Sequence, residues 1–153
     1  MNFEFSWVAL ILLIMLFVPN IFWSRYPPKD YEKYSKNENK LFLTFERAGE
    51  VLVSVFSLFC GVQFSSNLIL IIIFVVMGIY ELYWIRYFRS PKTMQDMVRD
   101  FLGIPLAGAT LPVIAFLLLG ILAENIFLVI STIILGIGHI SIHYNHRLQA
   151  MGG

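Results

Sequence analysis

Five apolar stretches, each about as long as a helix that crosses a bilayer, leave this chain very few folds. They run approximately over Phe5–Trp23, Phe42–Gln63, Leu68–Tyr87, Phe101–Ala123 and Ile126–Tyr144. Roughly 30 Å of hydrocarbon needs about 20 helical residues. Backbone polar groups find no water at that depth, so only helices or a closed barrel can span it, and strand-like segments are too few for a barrel. The expected fold is all-α, a polytopic membrane helix bundle of five transmembrane helices forming one domain over residues 1–153. Composition agrees, with 58% hydrophobic and 14% charged residues, against about 45–50% and 25% in soluble domains.

The links between the stretches set the orientation. Ser24–Leu41 carries Arg25, Lys29, Lys33, Lys36 and Lys40, and the segment from Arg86 to Asp100 carries Arg86, Arg89, Lys92 and Arg99. Ser65–Asn67 and Glu124-Asn125 carry no base. Cytoplasmic links are the ones enriched in Lys and Arg. The pattern therefore predicts an N-terminus outside, with both long links and the C-terminus in the cytoplasm. Met1-Asn2-Phe3-Glu4 is acidic rather than basic and no small-residue cleavage site follows, so the first span is expected to be retained.

Several function classes are excluded at this stage. A net charge of +1 leaves no basic surface to neutralise phosphates, so no nucleic-acid partner is expected. Cys60 stands alone and forms no intrachain disulfide. Glycine-rich phosphate loops and nucleophile elbows are missing. In the first link, Pro27-Pro28 sets an extended entry and Asp30 is placed to cap a short helix carrying Tyr31 and Tyr34. That helix would lie across a pocket mouth as a lid, or else the link is a solvated basic loop with aromatic anchors. Gly103, Ala107 and Gly108 in span four, with Thr132 and Gly136 in span five, predict close packing of those two spans.

The ionisable residues inside the spans gather near one face. Glu46, Arg47 and Glu50 open the second span, Glu81 and Arg86 close the third, and His139 and His143 close the fifth. Charges in hydrocarbon are costly and mark functional sites, so this clustering predicts a polar pocket facing the cytoplasm. Glu46 and Glu50 share a helix face, as do His139 and His143. Spans two and five run antiparallel, so matched depth pairs Glu46 with His143 and Glu50 with His139. Arg47 is placed to pair with Glu50 or Glu81. Tyr83 and Trp84 flank Glu81 as an interfacial belt or as the wall of an amphiphile-binding cavity.

Three readings of the cluster stay open. In the first, Glu46, Arg47, Glu50, Glu81, Tyr83, Trp84 and Arg86 line a pocket for a small cation or amphiphile. In the second, His139 and His143, in a run that continues to His146, hold zinc or iron with Glu50, or Glu46 or Glu81, as a further ligand, in a membrane enzyme acting on a lipid-like substrate. In the third, the cluster is an ion network that fixes helix packing in a structural or accessory subunit. His146 is expected to be solvated. Five spans seldom enclose a transport path alone, so transport would need a homo-oligomer.

Lys29-Asp30-Tyr31-Glu32-Lys33-Tyr34 through Asn37-Glu38-Asn39-Lys40, Phe45-Glu46-Arg47, Tyr83-Trp84-Ile85-Arg86-Tyr87-Phe88-Arg89-Ser90, Gly103-Ile104-Pro105 and Gly138-His139-Ile140 cover much of the chain. Together they resemble small five-span bacterial integral membrane proteins, a group to which no activity is attached. The resemblance implies a bacterial cytoplasmic membrane, with the lipid bilayer as the surrounding partner.

Overall fold

The computed structural model describes residues 4–152, and the N-terminal reading of Met1, Asn2 and Phe3 lies outside them. Every regular element among the described residues is a helix: α1 (Trp7–Arg25), α2 (Tyr31–Ser35), α3 (Lys40–Leu58), α4 (Leu68–Arg89), α5 (Met94–Val98), α6 (Ala107–Leu122) and α7 (Ile126–Ala150). The only strand-like pairing among them is one isolated bridge between Phe101 and Ile104.

Local chemistry explains most of the starts. Ser6, Asn39, Asn67, Thr93 and Asn125 each accept a hydrogen bond from a first-turn backbone N–H of the helix that follows. These residue types are strong N-caps because a short side-chain oxygen reaches an otherwise unpaired donor. At α5 the arrangement is reciprocal, since Asp96 also accepts from the Thr93 N–H. Asp30 departs from the sequence expectation. It precedes α2 but makes no cap bond there, and its carboxylate accepts instead from the N–H of Met94 at the start of α5.

Three helices are long and apolar enough to cross a membrane: α1, α4 and α7. The other two expected spans come out shorter than the apolar runs that suggested them. Span two was expected to reach Gln63, but α3 stops at Leu58. Beyond it the chain is held to the start of α1, with the Ser6 N–H donating to Leu58 O and the Gly61 N–H to Glu4 O. Gly61 takes a left-handed φ of 73°, a turn that a glycine adopts without a Cβ clash. Span four was expected from Phe101, but α6 begins at Ala107. Leu102, Gly103 and Leu106 all have positive φ, so Phe101–Leu106 folds as a tight turn that no helix can run through. The 16 residues of α6 reach only about 24 Å.

Large apolar side chains stand exposed along the long helices, among them Ile14, Ile21, Val51, Val75, Ile121 and Ile133. On α1, α4 and α7 such exposed apolar residues fit helices that are long and apolar enough to cross a membrane. The interior is aromatic towards the end of α4, where Tyr80, Tyr83 and Tyr87 are almost wholly buried. The second long link closes over that end, and the Tyr87 hydroxyl donates to Tyr26 O of the first at 3.2 Å. The Tyr83 hydroxyl donates to Met97 O at 2.7 Å, Arg86 donates to Asp96 O at 2.8 Å, and the Trp23 indole N–H meets Met97 Sδ at 3.3 Å. Arg147 near the end of α7 pairs with Asp100.

Candidate functional site

The site is built on the seam between α3 and α7. A Cβ added at Gly49 would meet Leu135 Cα at 2.5 Å, and one added at Gly138 would meet Glu46 N at 2.4 Å and Phe42 O at 2.5 Å. All three distances are far inside van der Waals contact, so the two backbones touch only because no side chain stands between them. Gly49 faces Leu135 while Glu46 faces Gly138, which fixes an antiparallel register. That register brings the Glu46 carboxylate to His139 Nδ1 at 2.5 Å.

The hydrogen bond of Glu46 thus goes to His139 rather than to the depth-matched His143, which stays close by, and Glu50 makes no pair with His139. The true partners lie about one helical turn away from that scheme. Depth along a membrane normal says when two residues are level, but the glycine contacts decide which faces meet. Glu50 pairs with Arg47 at 3.2 Å on the same helix, and both side chains are substantially exposed.

His139, His143 and His146 follow one another along α7 at intervals of four and three, so they form one stripe. The rings of His139 and His143 lie 4.5 Å apart, and those of His143 and His146 lie 6.0 Å apart. Carboxylates stand at both ends of the stripe, Glu46 at His139 and Glu38 at His146. Glu38 Oε1 comes within 3.1 Å of His146 Nε2. The approach is out of line for a hydrogen bond, and neither ring nitrogen of His146 has a hydrogen-bond partner among the described residues. His146 is 2% exposed, which corrects the expectation that it is solvated. It is covered by the rings of Tyr31 and Tyr34 from the first link.

Above the stripe lies a cavity of about 490 Å³. Leu16, Phe17, Val53 and Phe116 make one part of its wall apolar, and Glu46, Glu50, His139 and His143 make another part polar. The exposed Phe17 and Ile21 of α1 and Arg47 of α3 stand on its lining, so it opens between those two helices. Tyr31 and Glu38 also face it. The first link is therefore both of the things the sequence offered, since its lysines are exposed while Tyr31 and Glu38 cover one end of the cavity. Burial, followed by the Glu38 charge and hydrogen bond, pushes the Tyr31 hydroxyl up to about 12, so it donates to Glu38 as a neutral phenol. Burial likewise raises Glu38 above the usual carboxylate range, helped by the nearby Glu46 charge.

Of the residues singled out in the sequence, Glu46, Arg47, Glu50, Tyr83, Trp84, His139 and His143 all face this cavity. Glu81 and Arg86 do not. Glu81 keeps one buried oxygen without a hydrogen-bond partner, and Arg86 is spent on the second link, donating to Asp96 and Asp100 carbonyls and lying 5.1 Å from the Tyr83 ring centre. They leave the pocket because Tyr83 and Trp84 occupy the inward face of α4, and positions two before and two after those rings point away from it. Glu38 was missed and His146 was placed in solvent, whereas Tyr31 was expected at the pocket mouth. The His139, His143, His146 spacing was the available signal for His146, since residues at intervals of four and three lie on one helix face.

Three of these groups can share one ion. Single ligand atoms of Glu46, His139 and His143 all lie within 4.8 Å of one another. Glu46 is thus the carboxylate that completes the group, while Glu50, one turn further along α3, lines the same cavity but stands outside it and pairs with Arg47. Comparison of the chain with protein-family models, with curated proteins and with solved structures finds no match.

Proposed function

We propose that the protein is a five-span integral protein of the bacterial cytoplasmic membrane that binds an amphiphile in the cleft between α1 and α3. In this reading α3 and α6 also cross, the polar face of α3 being turned into the cavity and the short α6 being completed by the Phe101–Leu106 turn. The excess of Lys and Arg in the two long links supports an N-terminus outside and a C-terminus in the cytoplasm. The polar end of the cavity then opens at the depth of the cytoplasmic headgroups.

One observation carries the reading: a single cavity is lined by both apolar and charged side chains and opens between α1 and α3. An acyl chain fits along Leu16, Phe17, Val53 and Phe116, and a headgroup fits against Glu46 and Glu50. Mostly apolar walls with a few convergent polar groups are the usual makeup of a small-molecule site. Among the cavity's charged side chains, Glu38, Glu46 and Glu50 outnumber Arg47. With neutral imidazoles the polar end therefore favours a cationic head.

Trp23 and Trp84 face the cavity and report on it directly. A brominated cationic amphiphile titrated into the protein in nanodiscs should quench tryptophan emission saturably. An anionic amphiphile of the same chain length should do so only at about tenfold higher concentration. Equal, unsaturable quenching by both would contradict the reading.

A further inference from the structure

We propose that Glu46, His139 and His143 form a site for a divalent transition-metal ion of the zinc and ferrous-iron class. The ion's remaining coordination positions would open into the amphiphile cavity. Two imidazoles and one carboxylate are a ligand set that both ions accept, and both leave positions free on such a set.

The geometry is close to what an ion requires. Ligand atoms about 2.1 Å from a tetrahedral centre stand roughly 3.4 Å from one another. The three atoms lie within 4.8 Å of each other, so small side-chain rotations bring them into place. The Glu46–His139 pair at 2.5 Å is a hydrogen bond in the ion-free state. Metal entry would exchange that bond for two metal bonds and spread the pair by roughly 0.9 Å. The backbone needs no change, because the two glycine contacts already hold α3 and α7 at this register.

A second observation points the same way. His146, adjoining His143 and 2% exposed, has both ring nitrogens buried without a hydrogen bond among the described residues, Nε2 lying 3.1 Å from Glu38 Oε1 but out of line and Nδ1 meeting no polar group. Buried polar groups are nearly always satisfied, so an imidazole left this way beside two others marks a place where something polar binds. Metal-bound water in the open position would be such a group. The two negative charges in excess at the cavity's polar end are also what a dication neutralises. Bound metal should therefore weaken the preference for a cationic over an anionic amphiphile, which links this inference to the reading above without depending on it.

The test uses the full chain without a His-tag, stripped with chelator in nanodiscs and titrated with Zn²⁺ by equilibrium dialysis, with no amphiphile added. One Zn²⁺ per chain is expected. His139→Gln and His143→Gln should each weaken it by 100-fold or more, Glu46→Gln by at least tenfold, and His146→Gln by no more than a few-fold. Loading with Co²⁺ gives a readout that needs no variant: intense visible bands for a four- or five-coordinate nitrogen–oxygen site, against the faint spectrum of a hydrated ion. Absence of stoichiometric Zn²⁺, or stoichiometric Zn²⁺ that survives His139→Gln with His143→Gln, overturns the site. Either result leaves the quenching experiment to decide on the amphiphile.

Discussion

α3 meets the rest of the molecule in two opposite ways. Towards α7 it offers Gly49 and the backbone at Phe42 and Glu46, and the two helices touch main chain to main chain. Towards α1 it offers Glu46, Glu50, Val53 and Ser54, and a cavity of about 490 Å³ remains. The tight seam rests on one glycine from each helix, Gly49 of α3 and Gly138 of α7, and no such pair closes α3 against α1. The seam holds the polar groups at a fixed register, and the cleft gives a ligand access to them. Neither would serve a site alone, since a loose seam would scatter the imidazoles and a closed cleft would hide them.

The largest effect should come from breaking the seam. Gly138→Val drives a branched side chain into the backbone of Phe42 and Glu46 and should destabilise the protein by about 3 kcal/mol or more. Chemical denaturation in mild detergent would measure it. Gly49→Ala should follow closely, against Leu135. Gly78 on α4 is the control, because an added Cβ there meets nothing within 4 Å. Gly78→Ala should leave stability unchanged or raise it by up to about 1 kcal/mol, so equal losses at all three glycines would break the comparison.

Smaller effects sharpen it. Thr93→Ala removes the reciprocal cap of α5 in the link that closes over Tyr83 and should cost about 1 kcal/mol. Glu50→Ala should cost less, under about 1 kcal/mol, because its partner Arg47 is a largely exposed neighbour. A fall of several kcal/mol there would mean that Glu50 has a buried partner after all. The smallest effect concerns pH. Glu38 is raised in the folded protein, by burial first and by the Glu46 charge, so folding favours its protonated form. Its contribution is most favourable below the ordinary carboxylate range and is lost as pH rises through the raised value. Glu38→Gln should flatten that part of the stability–pH profile, read as melting temperature between about pH 4 and 7.

The positions of the long helices were legible because hydrocarbon-length apolar runs and their Asn and Ser caps are local signals. Their ends were less so. Nothing in the residues from Phe59 to Gln63 forbids helix, and it is the bonds to Ser6 and Glu4 that pull the chain away. At Phe101–Leu106 an apolar run concealed three left-handed residues, two of them leucines, which propensity alone would not place there. For the site, the cluster of Glu46, His139 and His143 could be read from charge in apolar context. Its pairing could not, because antiparallel helices of known depth still have a free rotation and slide. Gly138, directly before His139, was the residue that fixed both. His146 was misread for a related reason: a histidine near a helix end looks solvated until the link that covers it, here carrying Tyr31 and Glu38, is seen folded back.

The register of the α3–α7 seam is the claim on which the rest stands, and a pair of double-mutant cycles tests it most directly. Stability would be measured in detergent for Glu46→Gln, His139→Gln and both together, and again with Glu50→Gln in place of Glu46→Gln. A charge-assisted hydrogen bond predicts a coupling of about 1.5–3 kcal/mol between Glu46 and His139, and none outside error between Glu50 and His139. Coupling that appears with Glu50 and vanishes with Glu46 would mean that the helices meet one turn away from the register described, and the site assembled on it would be wrong.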